Sequence, residues 1–221
     1  IWNRRKDGEV YPEWVTISTV KDEKGRISNY IAIFADISTR KQAEERLRFL
    51  ATHDPLTGLP NRELFHDRLN QALVRSRRAR IGQSEKWKLA VFLLDLDNFK
   101  EINDTLGHGW GDQALRVVAE RIQSCVRKSD SVSRLGGDEF TVLVEGIANR
   151  ESCSIVANKI LNAISQPIEL SGQVFRLSAS LGISVYPDHG EDGETLVKHA
   201  DVAMYQAKQH KGCFRFFQNA H

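Results

Sequence analysis

Hydrophobic and polar side chains alternate along much of residues 9–20. This period of two is typical of a β-strand with one buried face. A second strand-like segment follows at Ile27–Ile37, and a charged turn that contains Gly25 lies between the two segments. The pattern therefore predicts an antiparallel hairpin. Because an isolated hairpin is only marginally stable in water, we expect it to be part of a larger sheet.

The next segment, residues 38–52, favours a helix. Ser38 is a suitable N-cap, and the residues after it are mostly good helix formers. Ala43, Leu47 and Leu50 recur at intervals of four and three residues and form one apolar stripe. The stripe fits either packing against a neighbouring domain or a short parallel coiled coil that pairs two chains. A repeat of about two heptads is too short to decide between these alternatives.

Strands and helices alternate after His53, which predicts an α/β (α+β) domain with a central sheet flanked by helices. Residues 88–94 are almost continuously apolar, as in a strand that is buried on both faces. Helices are predicted over residues 61–79, 99–106, 110–126, 150–165 and 193–209. Strands are predicted over residues 88–96, 131–135, 140–145, 167–171, 173–185 and 214–217.

The composition of the 221-residue chain narrows the classes of protein to which it can belong. Its formal net charge of +2 is too small to indicate a nucleic-acid partner or direct membrane contact by this fragment. The cysteines, Cys125, Cys153 and Cys213, show neither disulfide nor zinc spacing, which fits a cytoplasmic protein. No apolar run approaches the roughly 20 residues that span a bilayer. Because the first residue is Ile1 rather than Met, we expect a fragment of a longer protein, and an upstream membrane anchor stays open.

Two acidic residues, Asp95 and Asp97, end the apolar strand. Residues two apart in a strand point to the same face, so the two carboxylates are predicted to lie side by side. Such a pair repels itself and is costly to desolvate, so it needs a compensating cation. Magnesium is the expected ion, since it prefers oxygen ligands and commonly shares them with nucleotide phosphates. For this pair alone, a solvated turn is the competing interpretation.

A second acidic pair, Asp138 and Glu139, follows the double glycine Gly136-Gly137. The glycines allow a tight hairpin and a close approach of a ligand to the backbone. If this hairpin lies beside the 88–96 strand, Asp95 and Asp138 can share one metal ion. Metal ions held in this way serve phosphoryl transfer, because they position phosphates and neutralise developing charge.

Four motifs together resemble those of the GGDEF family of diguanylate cyclases. Gly136–Phe140 spells the family signature, and the match continues in His53–Arg62, Asp95–Asp104 and Gly107–Asp112. The resemblance spans residues 53–217. It implies a mostly antiparallel central sheet, like that of nucleotidyl cyclases and polymerase palms. It also implies that the domain over residues 53–221 joins two GTP molecules into cyclic di-GMP.

The segment before this domain resembles the end of a PAS sensory domain. The similarity rests on Arg5–Glu9, on the hairpin and on Asp36–Ser38, and an ordinary hairpin is the competing interpretation. The resemblance implies three parts of the chain. They are the C-terminal part of a PAS domain over residues 1–37, a signalling helix over 38–52 and the GGDEF domain.

The family resemblance further implies a metal site built from Asp95, the backbone carbonyl of Leu96, Asp138 and Glu139. The ion would be Mg²⁺, with Mn²⁺ as an alternative. Asp138 also occupies the position of the general base for the ribose 3′-hydroxyl, and Glu139 lies next to it in the sequence.

A triphosphate site is implied by the same resemblance. Backbone N–H groups of Asn98, Phe99 and Lys100 would cradle the β- and γ-phosphates, as unpaired amides at the start of a helix can. The Lys100 side chain would stabilise charge in the transition state. Arg134 and Lys208 would be further phosphate contacts.

Asn103 and Asp112 match the pair that recognises guanine in the family, with Leu59 and Leu115 as apolar walls. A carboxylate accepts hydrogen bonds from N1–H and the 2-amino group of guanine, and an amide can pair with its O6. Adenine lacks the N1 hydrogen, so such a site is expected to select GTP over ATP. For His108, contact with the substrate and packing at a helix N-terminus are both open.

Arg127 and Asp130 stand before Gly136 at the spacing of the RxxD inhibitory site of the family, where the product cyclic di-GMP binds. Arg can fork onto a phosphate and Asp can bind guanine, whereas a charged loop is the competing interpretation. Symmetric joining of two GTP molecules requires two copies that face each other. The resemblance therefore implies a homodimer.

The C-terminal motif departs from the family pattern, which runs Ala-Lys-x-x-Gly-Arg/Lys-Asn. Here Ala207-Lys208 is followed by Lys211-Gly212-Cys213, with the basic residue and the glycine interchanged. We expect reduced nucleotide affinity rather than lost activity. The sequence thus predicts a product-inhibited diguanylate cyclase. The alternative is a weakly catalytic module that binds GTP or cyclic di-GMP and regulates an attached phosphodiesterase domain.

Overall fold

The predicted N-terminal hairpin is present in the computed structural model, which describes residues 1–81, 88–170 and 172–218. The chain divides into two units, Ile1–Ala51 and Thr52–His221. The elements near the N-terminus are β1 (Trp2–Arg4), β2 (Val10–Lys21), β3 (Ile27–Asp36) and the predicted helix α1 (Ser38–Thr52). β2 and β3 form the antiparallel hairpin, and β1, which the sequence pattern did not predict, adds to the other edge of β2.

Both faces of this hairpin carry exposed apolar side chains. Residues that pair across antiparallel strands share a face, and successive residues alternate between faces. In β2 and β3, polar residues such as Thr16 and Ser18 pair with apolar Ile33 and Ile31. The buried face is not formed within this unit, and the expectation that the hairpin belongs to a larger sheet stays a prediction. Large apolar residues that are more than half exposed include Trp14, Ile31 and Ile33 on one face, and Ile17, Tyr30 and Phe34 on the other.

The second unit contains the alternating strands and helices that the pattern predicts. Its helices are α2 (Arg62–Ile81), α3 (Phe99–Leu106), α4 (His108–Cys125), α5 (Arg150–Ile164) and α6 (Gly193–Lys208). Its strands are β4 (Lys88–Asp97), β5 (Ser131–Gly136), β6 (Glu139–Ile147), β7 (Ile168–Leu170), β8 (Gln173–Phe175), β9 (Ser178–Tyr186) and β10 (Phe214–Phe216). Among the residues that the structure describes, no helix is both long and apolar enough to cross a membrane.

The prediction of a single strand over residues 173–185 was wrong, because two strands form there. β8 pairs with β7 in a separate two-stranded sheet, whereas β9 pairs with β4 in the central sheet. The chain changes partner at residues 176–177, and this change of partner breaks the strand in two. Residue 171, the last of the strand predicted over 167–171, lies outside the described residues.

The central sheet has the strand order β10-β9-β4-β6-β5. β4 is antiparallel to both of its neighbours, β5 is antiparallel to β6, and β10 runs parallel to β9. β4 is buried on both faces, as its apolar sequence predicts. Phe92 and Leu94 enter a core layer with α4 and α5, and Val91 and Leu93 enter the opposite layer with α2 and α6. The predicted fold class, a mostly antiparallel sheet flanked by helices, is confirmed.

β9 and α6 approach each other closely at Gly182. A Cβ atom at this position would lie 2.0 Å from the carbonyl oxygen of Ala200 and 2.2 Å from the nitrogen of Met204. Glycine therefore allows the helix to lie directly on the strand. At the other end of the helix, the Asp192 side chain accepts a hydrogen bond of 2.8 Å from the N–H of Thr195 as an N-cap. This packing fixes the course of α6, whose last residue is Lys208.

Candidate active site

The two acidic pairs of the sequence come close where β4 lies beside β6. Asp95 is registered opposite Glu139, the first residue of β6. The N–H of Leu96 donates a long hydrogen bond of 3.4 Å to the carbonyl oxygen of Asp138. The antiparallel register thus brings Asp95, Asp138 and Glu139, called here the acidic cluster, to one end of the strand pair.

A lysine side chain lies at the acidic cluster. Lys208 Nζ is 2.9 Å from Oδ2 of Asp95, whose residue is almost buried. Burial raises the pKa of Asp95, the hydrogen bond from Lys208 opposes the rise, and the charge of Asp138 adds to it. Partial burial lowers the pKa of Lys208, but the hydrogen bond to Asp95 and the nearby carboxylates outweigh it, so that this pKa is raised. The cluster therefore keeps Lys208 protonated and close to Asp95.

The chemistry of the acidic cluster suits a hard cation. Carboxylate and carbonyl oxygens are the donors that Mg²⁺ prefers, and the negative charge gathered there contributes to the raised pKa of Asp95. Within residues 1–81, 88–170 and 172–218, no three His, Cys, Asp or Glu side chains are close enough together to enclose a metal ion. The donor types of the acidic cluster fit a divalent cation.

Asp97 does not join the acidic cluster, although it was predicted to pair with Asp95. Its Oδ2 accepts hydrogen bonds from Ser178 Oγ at 2.6 Å and from the N–H of Gly212 at 2.9 Å. Its Oδ1 accepts one from Ser180 Oγ at 2.7 Å. The expectation that this carboxylate needs a cation was wrong, because three hydrogen-bond donors satisfy it instead.

The segment Asn98–Lys100, called here the phosphate turn, connects β4 to α3. Asn98 adopts a left-handed conformation with φ 58° and ψ 22°, and α3 starts at the next residue. Phe99 is buried, whereas Asn98 and Lys100 are exposed. The Nζ atom of Lys211 donates a hydrogen bond of 2.8 Å to Oδ1 of Asn98. The turn therefore presents the first amides of a helix next to two lysines, an arrangement suited to an anion.

The double-glycine hairpin is braced by a buried arginine. Gly136 and Gly137 have φ values of 143° and 53°, which glycine adopts without strain. Arg134 donates from Nε and Nη2 to the carbonyl oxygen of Gly137, at 3.0 and 2.7 Å. Its Nη1 lies 2.9 Å from Oδ1 of Asp54. Arg134 is thus engaged in holding the hairpin, and its role as a phosphate contact stays a prediction.

The residues predicted to bind guanine are brought together by α3 and α4. Asn103 lies against Gly111, since a Cβ atom at that glycine would be 1.9 Å from Oδ1 of Asn103. Asp112, the next residue of α4, is exposed. Leu59 and Leu115 are buried in the core layer beneath these helices. His108 is the first residue of α4, and its side chain is exposed. Neither of the two roles predicted for it is decided by this position.

The predicted inhibitory motif forms a closed turn after α4. The N–H of Arg127 donates to Oδ2 of Asp130 at 2.9 Å, and the N–H of Asp130 donates to the carbonyl oxygen of Arg127 at 3.0 Å. The Arg127 side chain is exposed, whereas Oδ1 of Asp130 is buried and has no hydrogen-bond partner. An unsatisfied buried carboxylate oxygen is unusual in a folded protein.

A family model matches most of the second unit. It is described as diguanylate cyclase, GGDEF domain, and it covers residues 51–213. This range contains the acidic cluster, the phosphate turn and the pair Asn103 and Asp112. The chain belongs to the GGDEF diguanylate cyclase family.

Two relatives from Pseudomonas aeruginosa are more than 40% identical to the region containing the GGDEF domain. The bifunctional diguanylate cyclase/cyclic di-GMP phosphodiesterase MucR is 43% identical over 180 residues, which are 81% of this chain and 25% of MucR. Diguanylate cyclase TpbB is 44% identical over 160 residues, which are 72% of this chain and 35% of TpbB. The chain therefore spans about a quarter to a third of the length of these relatives.

Solved structures share the architecture of the GGDEF domain. The crystal structure of the GGDEF domain of TpbB has a TM-score of 0.70 at 41% identity, and the match covers 74% of this chain and 99% of that chain. The coiled coil and GGDEF domain of DgcB from Caulobacter crescentus, in complex with cyclic di-GMP, has a TM-score of 0.68 at 25% identity. That match covers 81% of this chain and 93% of the DgcB chain. The palm-like fold predicted from the sequence agrees with these structures.

Two residues that support the GGDEF site received no role from the sequence. Asp54 holds Arg134 and accepts hydrogen bonds from the N–H and Oγ1 of Thr57, at 2.9 and 2.6 Å. The Asp-x-x-Thr spacing is a signal for such a turn. Gly111 lies inside α4, where glycine is costly unless close packing requires it, and this cost is the signal that could have found it.

Proposed function

We propose that two copies of this chain, each holding one GTP, condense the nucleotides into cyclic di-GMP. The ribose 3′-oxygen of each GTP attacks the α-phosphorus of the other. A bond forms between that oxygen and the α-phosphorus, the bond to the β-phosphate breaks, and pyrophosphate leaves with the electron pair. The observation that carries this proposal is the presence of the acidic cluster and the Asn103–Gly111 contact within one GGDEF domain.

The acidic cluster would perform the chemical step. Asp138 accepts the proton of the attacking hydroxyl as the general base. Asp95, the Leu96 carbonyl, Asp138 and Glu139 would hold Mg²⁺ or Mn²⁺, which would neutralise charge on the triphosphate. Lys208 exchanges its contact with Asp95 for one with the phosphates, so its positive charge stays in the site.

The phosphate turn and the helices around it would bind and orient GTP. The amides of Asn98, Phe99 and Lys100 cradle the β- and γ-phosphates, and the Lys100 ammonium faces the charge that develops on the leaving pyrophosphate. Asn103 and Asp112 bind the guanine edge. Adenine would leave the Asp112 carboxylate without its donors, which disfavours ATP.

The assembly of the reaction needs two copies of the domain. One site that holds one GTP supplies only half of the reacting groups, so a homodimer has to bring two sites face to face. We propose that residues 1–37 are the end of a PAS domain and that helix 38–52 controls how the copies meet. The apolar stripe of α1 supports this role, since Leu47 and Leu50 are exposed on the helix. We also place the activity in the cytoplasm.

Product inhibition is proposed at the turn of Arg127 and Asp130. The turn is already closed by two hydrogen bonds, so little ordering is needed for a ligand to bind. The Asp130 carboxylate lies in this turn, and a carboxylate accepts hydrogen bonds from guanine N–H groups. The exposed Arg127 guanidinium can then contact phosphate or stack on a base.

A regulatory module without strong catalysis is the second candidate function. One observation favours it: Lys208 pairs with Asp95, so an ammonium group contacts a carboxylate that the cyclase needs as a metal ligand. MucR, a relative of the chain, is a bifunctional diguanylate cyclase/phosphodiesterase. In this case the domain would bind GTP or cyclic di-GMP and control an attached phosphodiesterase.

The two candidates differ in the products formed from GTP. The purified chain is incubated with GTP and MgCl₂, and the nucleotides are separated by chromatography. The cyclase proposal predicts cyclic di-GMP and two pyrophosphates per product, and it predicts that Asp138→Ala abolishes both. Nucleotide binding without any product, in a chain that is shown to be folded, would support the regulatory module and contradict the cyclase.

A further inference from the structure

Asp97 lies next to the phosphate turn but outside the acidic cluster. We infer that Asp97 and Lys211 form a clasp that positions the phosphate turn for the triphosphate of the substrate. In this clasp Asp97 is a positioning residue, and Lys211 supplies positive charge at the turn. The inference rests on the proposed function, because it concerns the same GTP site.

The Asp97 carboxylate joins three separate pieces of the chain. It is the last residue of β4, its serine donors Ser178 and Ser180 stand at the start of β9, and its third donor is the N–H of Gly212 after α6. Hydrogen bonds to a charged acceptor in a nearly buried place are strong and directional. Asp97 therefore fixes the position of Gly212 relative to Asn98, its own neighbour in the chain.

Lys211 completes the clasp from the other side. It precedes Gly212, and its Nζ reaches Oδ1 of Asn98 at 2.8 Å. Both Asn98 and Lys211 have left-handed backbones, with φ values of 58° and 48°. Asparagine tolerates this conformation, but for a lysine it is unfavourable and persists where surrounding contacts hold it. The interchange of glycine and the basic residue in this chain thus places an ammonium group on the phosphate turn.

The clasp acts on the phosphate end of the nucleotide. It anchors the side chain of Asn98 and so holds the amides that follow in one orientation. The fixed ammonium of Lys211 attracts the highly charged β- and γ-phosphates. GMP lacks these groups and has nothing to place at the turn. The clasp therefore favours GTP over GMP without affecting recognition of the base.

The ratio of affinities for a triphosphate and a monophosphate tests this inference. Titration calorimetry on the full chain with Mg²⁺ would use GMP and 3′-deoxy-GTP, which lacks the attacking hydroxyl and cannot react. We expect Lys211→Met to weaken 3′-deoxy-GTP binding about fivefold, as for an exposed charge pair, and to change GMP binding by less than about twofold. Lys211→Arg, which keeps the charge and a donor, should restore most of the loss. In turnover, Lys211→Met should raise KM and leave kcat within about twofold.

The role of Asp97 in the clasp is tested by removing its charge or by removing one of the hydroxyl groups that donate hydrogen bonds to it. Asp97→Asn keeps the shape of the side chain, and we expect it to lower the affinity for 3′-deoxy-GTP about fivefold with little effect on GMP. If Asp97→Asn fails to fold in a thermal unfolding scan, Ser178→Ala provides a milder variant with the same expected direction. Lys24→Met, which removes the same charge from the exposed turn of the N-terminal hairpin, is the matched control and should change neither ligand.

The outcomes separate the clasp from the cyclase itself. The clasp would be refuted if Lys211→Met and Ser178→Ala left the ratio of the affinities for 3′-deoxy-GTP and GMP unchanged. If the unmodified chain then binds nucleotide and forms product normally, the proposed cyclase activity is unaffected by this result. Equal losses for both ligands would indicate general damage to the site and would also overturn the clasp. If the unmodified chain neither binds 3′-deoxy-GTP nor forms cyclic di-GMP, the proposed function fails, and the clasp fails with it.

Discussion

Gly111 gives a sharp test of the guanine site, because its lack of a side chain is what allows Asn103 to lie over α4. A Cβ atom at this position would be 1.9 Å from Oδ1, 3.0 Å from Cγ of Asn103 and 3.2 Å from Cζ of Phe99. Side-chain atoms in packed interiors do not tolerate such overlap. In Gly111→Ala, the Asn103 side-chain amide therefore has to move by more than about 1 Å, away from the place where its NH2 group would pair with guanine O6.

The expected size of the Gly111→Ala effect follows from two opposing contributions to the free energy of unfolding and from one contribution to the affinity for GTP. Alanine gains about 1 kcal/mol over glycine in a helix, and overpacking costs about 1–3 kcal/mol. The net loss in the free energy of unfolding is therefore about 0–2 kcal/mol, so the domain stays folded. Loss of one hydrogen bond to the base corresponds to about 1 kcal/mol, or roughly a fivefold weaker affinity for GTP. The affinity for ATP should change little, because ATP does not use that bond.

Gly109→Ala is the matched control for this experiment. Gly109 lies in the same helix, and a Cβ atom there would have no neighbour within 4 Å. The control should gain slightly in stability and keep its affinity for GTP. Affinities for GTP and ATP would be measured by titration calorimetry on folded protein. A Gly111→Ala variant with an unchanged preference for GTP over ATP would refute the role of Asn103 in reading guanine.

Three further predictions concern the bracing of the site and its regulation. Partial burial raises the pKa of Asp54, but hydrogen bonds from Thr57 and Arg134 outweigh this effect, so the pKa is lowered. The ion pair between Asp54 and Arg134 therefore stabilises the folded domain above pH about 4, and this stabilisation is lost as the pH falls through the lowered pKa. Asp54→Asn should lower the free energy of unfolding at pH 7 by about 1–3 kcal/mol, measured by urea unfolding. It should also weaken the loss of stability at acid pH, and an unchanged dependence of stability on pH would contradict the role of Asp54 in holding Arg134. Asp192→Ala should lower stability by about 1 kcal/mol in thermal unfolding, and Asp192→Asn should recover most of it, since both Asp and Asn cap helices. Arg127→Ala should relieve product inhibition, and late progress curves that match the unmodified enzyme would argue against the RxxD site.

Much of the central sheet could be predicted, because its strands carry strong local signals. The apolar run that forms β4 has no polar face, and such a strand needs cover on both sides wherever it lies. The double glycine before Asp138 likewise dictates a hairpin from local conformation alone. Once the hairpin pairs beside β4, the register brings Asp95 near Glu139 without further information.

The features that escaped prediction depend on contacts between distant parts of the chain. Asp97 was grouped with Asp95 because strand geometry gives both the same direction, but its partners lie 81, 83 and 115 residues further along the chain. No local pattern could show that these donors would take the place of a cation. The break between β8 and β9 has the same origin, since it reflects a change of pairing partner rather than a sequence signal.

The two-sided apolar surface of the N-terminal hairpin affects how oligomers of this chain should be interpreted. Sheets with bare apolar faces adhere to one another, so copies of the chain will tend to self-associate in concentrated solution even without nucleotide. Such complexes would be counted as dimers by light scattering although no active sites meet in them. Replacing Trp14 and Phe34, one on each face, with glutamate should disperse them. Pairing that survives this change and strengthens with nucleotide is the pairing relevant to catalysis.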